Sequence, residues 1–316
     1  MLSGYPRNWN ADPRPEGVWI DLLDPTDQEQ SIIERTFGLR VPPMEELSEI
    51  ESTSRLRTER DALYMSAPLV SVAQDGRWIL VPTGFVLAKK LLMTVRFAKL
   101  TAIEVVAQEL NAAQGIEPAN AFARILEQIV DGAADHLELL AEQLDKTSER
   151  IFREAQPGTS GLSRDTILLR SAMTQIGRAS ERISHVHYML TCLDRIAKFA
   201  ADRGREWIPS AVTERLQSVR TDVASLNQFD ESLLSRVQLL QDAASAIISI
   251  GQNEVMKVLT VVSVAGVPPV LIAGIYGMNF KNMPELNWPW GYGFALALIV
   301  ISTLIPLLWF KLKDWI

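Results

Sequence analysis

Two stretches of this chain, Val258 to Phe280 and Leu286 to Phe310, contain no Asp, Glu, Lys, Arg or His. Each meets the roughly 20 apolar residues that a helix needs to cross the hydrocarbon core of a bilayer. Between them lies a short connection carrying Lys281 and Glu285, whereas everything before Met256 is charged at ordinary soluble density. The chain therefore reads as a large water-facing part followed by a C-terminal membrane hairpin. The first span covers about 256–277, the connecting loop 278–289, the second span 290–311 and a short tail 312–316.

Basic residues set the orientation. Lys257 precedes the first span, Lys311 and Lys313 follow the second, and only Lys281 lies in the loop. The positive-inside bias places both termini in the cytoplasm and the loop outside, in a cell (inner) membrane. Trp288, Trp290 and Tyr292 fit one membrane interface, Trp309 and Trp315 the other. The first twenty residues lack an unbroken apolar core, so no secretory signal is expected. Cys192 is the single cysteine, which excludes an intrachain disulfide and suits a reducing compartment. The formal net charge of −7 argues against a nucleic-acid partner.

Residues 1–117 read as a cytoplasmic α/β domain. "GVWIDLL" has strand character. "TDQEQSIIERTFG" is a short helix with Thr26 as N-cap, Glu29 completing a capping box and Gly38 as its stop. "ALYMSAPLVSV", the turn "QDGR" and "WILVPTGFVLAKKLLMTVRF" read as antiparallel strands. Residues 118–208 follow as long antiparallel cytoplasmic helices, Ala119 to Glu154 and about Ser163 to Ala201, interrupted by "QPGTSG" and closed by "RGREWIPS". There is no phosphate-cradling glycine loop, no zinc-type Cys/His spacing and no nucleophile elbow, so no enzyme is expected. His185 and His187 sit at i and i+2, which face apart on a helix, and read as packing or surface residues.

The third segment, 209–277, reads as a stalk helix that continues into the first span. From Ser210 to Tyr276 the first proline is Pro268, and such a helix would be roughly 100 Å long at ~1.5 Å per residue. One face is apolar: Val212, Leu216, Val219, Val223, Leu226, Leu233, Val237, Leu240, Ala244 and Ile247, steps of three and four that describe a packed seam. Asp230 interrupts it. A second line is small or polar: Ser218, Thr221, Ser225, Gln228, Ser232, Ser235, Leu239, Asp242, Ala246, Ser249 and Asn253. It continues through Met256, Thr260, Ser263, Val267, Val270, Gly274 and Gly277. Copies of that line around an axis would make a wet tube with apolar constrictions at Met256 and Val267, which can gate by dewetting. The same line also suits a solvated stalk above a tight small-residue helix contact, and periodicity does not separate the two. Pro268 and Pro269 deprive carbonyls near Val264 and Ala265 of their helical donors.

"NEVMKVLTVV", "PPVLIAGIYGMNF", "MPEL" and the closing "FKLKDWI" resemble the CorA family of magnesium and cobalt channels. The likeness is dense from Asn253 to Ile316; before that it is one of layout. The zinc-transporting ZntB branch shares the topology but varies the residues around Gly-Met-Asn, and a zinc transporter of that type is the alternative reading; a membrane-anchored scaffold is a third. The resemblance implies a homopentamer with a funnel-shaped cytoplasmic part, first spans lining the pore and second spans outside them. It implies that Gly277, Met278 and Asn279 form the outer mouth, with Gly277 letting the backbone turn and Met278 packing to fix that turn. The pore would be lined by Asn253, Met256, Thr260, Ser263, Val267, Val270 and Gly274. Mg²⁺, with Co²⁺ and Ni²⁺ as further divalent cations, would be carried, and intracellular Mg²⁺ on acidic groups would hold the channel shut. Asp242, Asp230 and Asp222 are the candidates for that regulatory metal. No organic cofactor is expected.

Overall fold

The computed structural model describes residues 2–5, 18–49, 51, 55–73, 75–110, 117–154, 162–278, 283–284, 288–313 and 315. They fall into two compact units. The first comprises Met1–Arg153 with Ser171–Gln241, the second Glu154–Arg170 with Asp242–Ile316.

The first unit holds a six-stranded sheet of order β1-β2-β6-β5-β4-β3. The strands are β1 (Leu2–Tyr5), β2 (Val18–Leu23), β3 (Leu56–Glu59), β4 (Ala62–Val72), β5 (Trp78–Ala88) and β6 (Leu91–Arg96). β2 and β6 pair in parallel, and every other neighbouring pair is antiparallel. β4 and β5 form the hairpin expected from the sequence, in register from Ala62↔Ala88 to Val72↔Trp78. Pro68 and Pro82 oppose each other in it. Neither can donate to a ladder, and both lie beyond the stretches paired to β3 and β6, where each strand has one neighbour only.

Helix α1 (Asp27–Phe37) starts and stops as its residues dictate. Thr26 Oγ1 accepts from the Glu29 backbone N–H, and the Glu29 carboxylate accepts from the Thr26 N–H at 3.0 Å. Gly38 closes the helix at φ +71°, a conformation that costs glycine little. Strand alternation then sorts the sheet's two faces. Ile20, Leu22, Val86, Met93 and Val95 form one core with Ile33 of α1, Val41, and Leu47 of α2 (Met44–Leu47). The opposite face carries Phe85, which meets Phe122 edge-on at 5.9 Å between ring centres.

On that opposite face two adjacent strands hold a buried polar chain. Trp19 Nε1 donates to Thr94 Oγ1 at 3.1 Å, and Thr94 donates to Asp21 Oδ1 at 2.7 Å. Arg96 donates to both Asp21 oxygens, the closer at 2.9 Å. Asp21 and Arg96 are both buried. A buried pair of this kind is tolerable because the carboxylate and guanidinium match as a two-pronged contact and the remaining oxygen capacity is filled.

Helix α3 (Thr101–Leu110) follows the sheet, then the long helices α4 (Pro118–Glu154), α5 (Leu162–Arg203) and α6 (Ser210–Tyr276). Within the first unit they are pinned by ion pairs between helices. Arg215 of α6 forks onto Glu127 of α4 through two 2.7 Å bonds, Arg220 reaches Asp194 of α5 at 2.9 Å, and Arg236 meets Asp145. The seam predicted on α6 is buried at Val212, Leu216, Val219, Val223, Leu233, Val237, Leu240 and Ala244, with Leu226 and Ile247 half-buried. Each such aliphatic side chain contributes about 1.5–3 kcal/mol on full burial. Asp230 sits inside this seam at 0% exposure, with its Oδ2 2.7 Å from His187 Nδ1. Its other oxygen is buried without a hydrogen-bond partner among the described residues. Burial pushes the Asp230 carboxyl above its ordinary value, against the opposing pull of His187.

The second unit contains the C-terminal part of α6 and helix α7 (Gly291–Leu312), the two helices long and apolar enough to cross a membrane. α6 is helical through Pro268 and Pro269.

Two measurements follow from these buried charges. Arg96→Met strands the Asp21 carboxylate and is expected to lower stability by about 3–5 kcal/mol in thermal or denaturant unfolding of the detergent-solubilised chain. The double variant Asp21→Leu/Arg96→Met is expected to recover most of that loss, and equal loss in both variants refutes the account. At Asp230 the folded protein holds its proton more tightly than the unfolded chain. Its contribution to stability is therefore fullest in acid and is lost as pH rises from the ordinary carboxylate range through the raised folded value. Asp230→Leu should flatten that part of the stability–pH curve; an unchanged curve overturns the assignment.

Candidate functional site

The small and polar line on α6 is the candidate site, and each unit shows its own part of it. In the first unit Ser218, Thr221, Ser225, Gln228, Ser232, Ser235 and Leu239 are all exposed. This follows from phase: the line is offset from the buried seam, so packing α6 onto its neighbours turns it to the outside. In the second unit Asp242, Ala246, Ser249, Asn253, Met256, Ser263, Val267, Val270 and Gly274 are exposed and Thr260 is half-buried. Val267 and Val270 are 63% and 73% exposed, whereas Val261 and Ala265 are 8%. At ~3.6 residues per turn, Val261 and Ala265 lie on the side of the helix away from the line.

Six hydroxyls on this line are committed to the helix backbone. Thr221 donates to the Gln217 carbonyl, Ser225 to Thr221, Ser232 to Phe229, Ser235 to Glu231, Ser249 to Ser245 and Thr260 to Met256, at 2.6 to 3.1 Å. A hydroxyl has one hydrogen and two lone pairs. Once its hydrogen is used on the helix, it presents acceptors to whatever lies beyond. The line therefore offers oxygen lone pairs to donors, and the first-shell waters of a cation are donors.

Helix α6 ends at the expected place. The Gly277 N–H bonds the Ala273 carbonyl at 2.9 Å, and Met278 N–H bonds the Ile275 carbonyl at 3.2 Å. A Cβ at Gly277 would stand 3.1 Å from the Ala273 oxygen, so the turn is closed most easily around glycine. Met278, expected to pack against this turn, is 45% exposed in the single chain. Asn279, with Lys281 and Glu285, lies outside the described residues.

The three acidic candidates part company. Asp222 and Asp242 are exposed, while Asp230 is turned into the seam and engaged by His187. Asp222 and Asp230 are eight residues apart on one helix, about 12 Å, too far to share an ion. Among the described residues no cluster of three or more His, Cys, Asp or Glu side chains could hold a metal. Neither Asp222 nor Asp242 has such companions among the described residues. The His187–Asp230 pair was not foreseen from sequence; the one signal was an aspartate at an apolar seam position.

The comparisons with known proteins bear on the whole chain. The family model described as CorA-like Mg²⁺ transporter protein matches residues 16–312. A magnesium transport protein CorA from Pasteurella multocida is 30% identical over 98% of this chain and 95% of its own length. One from Salmonella typhimurium is 28% identical over 95% and 92%. Among solved structures, the CorA magnesium transporter from Methanocaldococcus jannaschii superposes with a TM-score of 0.74 at 20% identity, covering 95% of this chain and 92% of that one. The full-length CmaX protein gives 0.69 at 19% identity, covering 96% and 90%. At these identities the structural likeness is one of fold: an N-terminal α/β domain, a long helix and two C-terminal apolar helices. With the family model spanning nearly its full length, the chain belongs to the CorA family.

Proposed function

We propose that five copies of this chain assemble around an axis in a cell (inner) membrane, both termini cytoplasmic, as a channel that admits Mg²⁺, with Co²⁺ and Ni²⁺ as further substrates. The observation that carries this reading is the exposed line of α6, whose hydroxyls are turned inward as donors and outward as acceptors. The names of the relatives, magnesium transport proteins, support the choice of ion. Mg²⁺ gives up its waters reluctantly and prefers octahedral oxygen coordination. A path that accepts hydrogen bonds from those waters passes the ion without stripping it.

The mouth of the path is Gly277, Met278 and Asn279. Five Asn279 amide oxygens would accept from the ion's hydration shell, and being uncharged they would release it readily. Inside the span, Met256 and Val267 form the apolar constrictions, with Asn253, Thr260, Ser263, Val270 and Gly274 between and around them. Entry is driven by the membrane potential, about 2.3 kcal/mol per elementary charge per 100 mV. Intracellular Mg²⁺ would bind exposed carboxylates, Asp242 and Asp222, where neighbouring chains bring them together. Loss of that ion leaves like charges facing each other and loosens the closed state.

Two substitutions test this reading in proteoliposomes containing only this protein. Asn279→Ala should abolish Mg²⁺ uptake while the assembly, sized by native mass spectrometry, is unchanged; undiminished uptake removes Asn279 from the mouth. Val267→Ser should wet the constriction and raise flux at high internal Mg²⁺ by about tenfold or more, since lowering a barrier by about 1.4 kcal/mol is already tenfold. Flux equal to the parent protein's would mean that Val267 does not face the path.

A further inference from the structure

A cleft of about 560 Å³ lies in the first unit, far in sequence from the line on α6. The turn between β4 and β5 forms one wall with Arg77 and Trp78, and one face of α5 forms the other with Arg178, Arg182 and His185. Arg178 and Arg182 are one helical turn apart, a like-charge spacing that costs a helix a few tenths of a kcal/mol. Arg178 is exposed and has no ion-pair partner among the described residues. Arg182 lies over the Trp78 ring, 5.0 Å from its centre, and donates to Gln143 Oε1 at 3.4 Å. His136 closes the edge of the same ring at 4.6 Å. Arg77 is held by Asp75, through Nε at 2.6 Å and its backbone N–H at 3.1 Å, and is otherwise open to solvent. The Nδ1 of His185 is buried with no hydrogen-bond partner among the described residues.

Three guanidiniums from two elements therefore line one space, and Arg182 is held there by Trp78 and Gln143 before anything binds. A guanidinium fork matches phosphate oxygens two at a time. The carboxylate that could compete most directly, Asp75, is already taken by Arg77, whose hydrogen bond holds it below the usual carboxylate range. Glu181 remains, exposed and without an ion-pair partner among the described residues. The volume is in the range of small-molecule sites and exceeds what a single phosphate fills. Arg182 covers one face of Trp78 and His136 meets its edge, so that face is closed to a stacking nucleobase.

We propose that this cleft binds a polyphosphate anion, a nucleoside triphosphate being the cellular form, through Arg77, Arg178 and Arg182, with no selection among bases. The proposal does not rest on ion transport, and its test needs none. Isothermal titration of the full-length protein in detergent, at fixed ionic strength, would use tripolyphosphate, ATP, GTP and inorganic phosphate in turn. Tripolyphosphate, ATP and GTP should bind saturably with similar affinity and inorganic phosphate more weakly. Arg178→Glu should weaken tripolyphosphate by about tenfold or more, and Arg178→Gln by less, because charge-assisted contacts to phosphate are each of the order of 1.5–3 kcal/mol. Glu181→Gln should strengthen it. Absence of saturable binding by tripolyphosphate overturns the proposal. So does an affinity that Arg178→Glu and Arg178→Gln both leave unchanged. Tight ATP with no tripolyphosphate binding would overturn it as well, since recognition would then lie with the base.

Discussion

A backbone amide in hydrocarbon has no water to bond, so any segment that passes from cytoplasm to bilayer must bring its hydrogen bonds with it. Helix α6 meets this constraint by not ending: Ser210–Tyr276 is one helix, through charged, polar and apolar sequence alike. What changes along it is the side chains. In the first unit the seam is leucine and valine against other helices and the offset line is serine, threonine and glutamine. In the second unit the ionisable groups disappear after Lys257 while the three-and-four phase continues. Pro268 and Pro269 remove two amide donors from the ladder. The carbonyls that lose their i+4 amide donor are those of Val264 and Ala265, polar atoms in an otherwise apolar stretch.

The exposure of the apolar helices has to be read with that constraint. Lipid-facing side chains need only be apolar, and a helix wholly surrounded by lipid has no use for Thr260, Ser263, Gly266 or Gly274. Their presence on α6 suits a close contact with another helix or with water. α7 exposes Leu296, Val300, Ile301, Leu304, Ile305 and Leu308, whereas α6, which exposes Val258, Leu259, Val262 and Leu271, intersperses them with more small residues. The larger and more uniformly aliphatic surface is the one suited to face acyl chains. In the proposed ring that contrast favours α6 inward and α7 outward.

Much of this was legible in the sequence, and the reasons are local. The α1 capping box, the Gly38 stop, the β4–β5 hairpin and the α6 seam each depend on residues within a few positions of one another, and each stands where the pattern put it. The strands β1 and β3, four residues apiece, are too short to show a period. Helix α3 was passed over between the sheet and the long helices. The buried chain from Trp19 to Arg96 joins residues about 75 apart in sequence, and His187 and Asp230 are 43 apart. No periodicity encodes such pairings, because each is set by which elements the core brings together. Of the candidate mouth, Gly277 and Met278 are described and Asn279 is not. The acids were the least legible, since exposure of a lone carboxylate looks the same whether it will meet a metal or only water.

The proposed five-fold assembly would supply what a single chain leaves thin. One Asn279 amide, one Thr260 oxygen or one Asp242 carboxylate is a feeble partner for a divalent cation. Chelation by one chain would need several oxygens within about 2–3 Å of one point, and the described residues supply no such cluster. Repeating each group around an axis changes the count without changing the sequence: every single oxygen becomes a ring, and a helix that is poor in ligands becomes a tube lined with them. The ligands stay one per chain and per level, so no level holds the ion by direct chelation within a subunit. A hydrated ion suits that arrangement better than a bare one, because its waters widen it to meet a ring of acceptors. The same multiplication applies to the carboxylates, with opposite effect: charges that are harmless apart repel when gathered, and only a bound cation makes their gathering favourable. In the proposed channel, conduction and closure would then share one geometric basis, the placement of weak oxygen groups at three-and-four spacing on the exposed side of a single long helix.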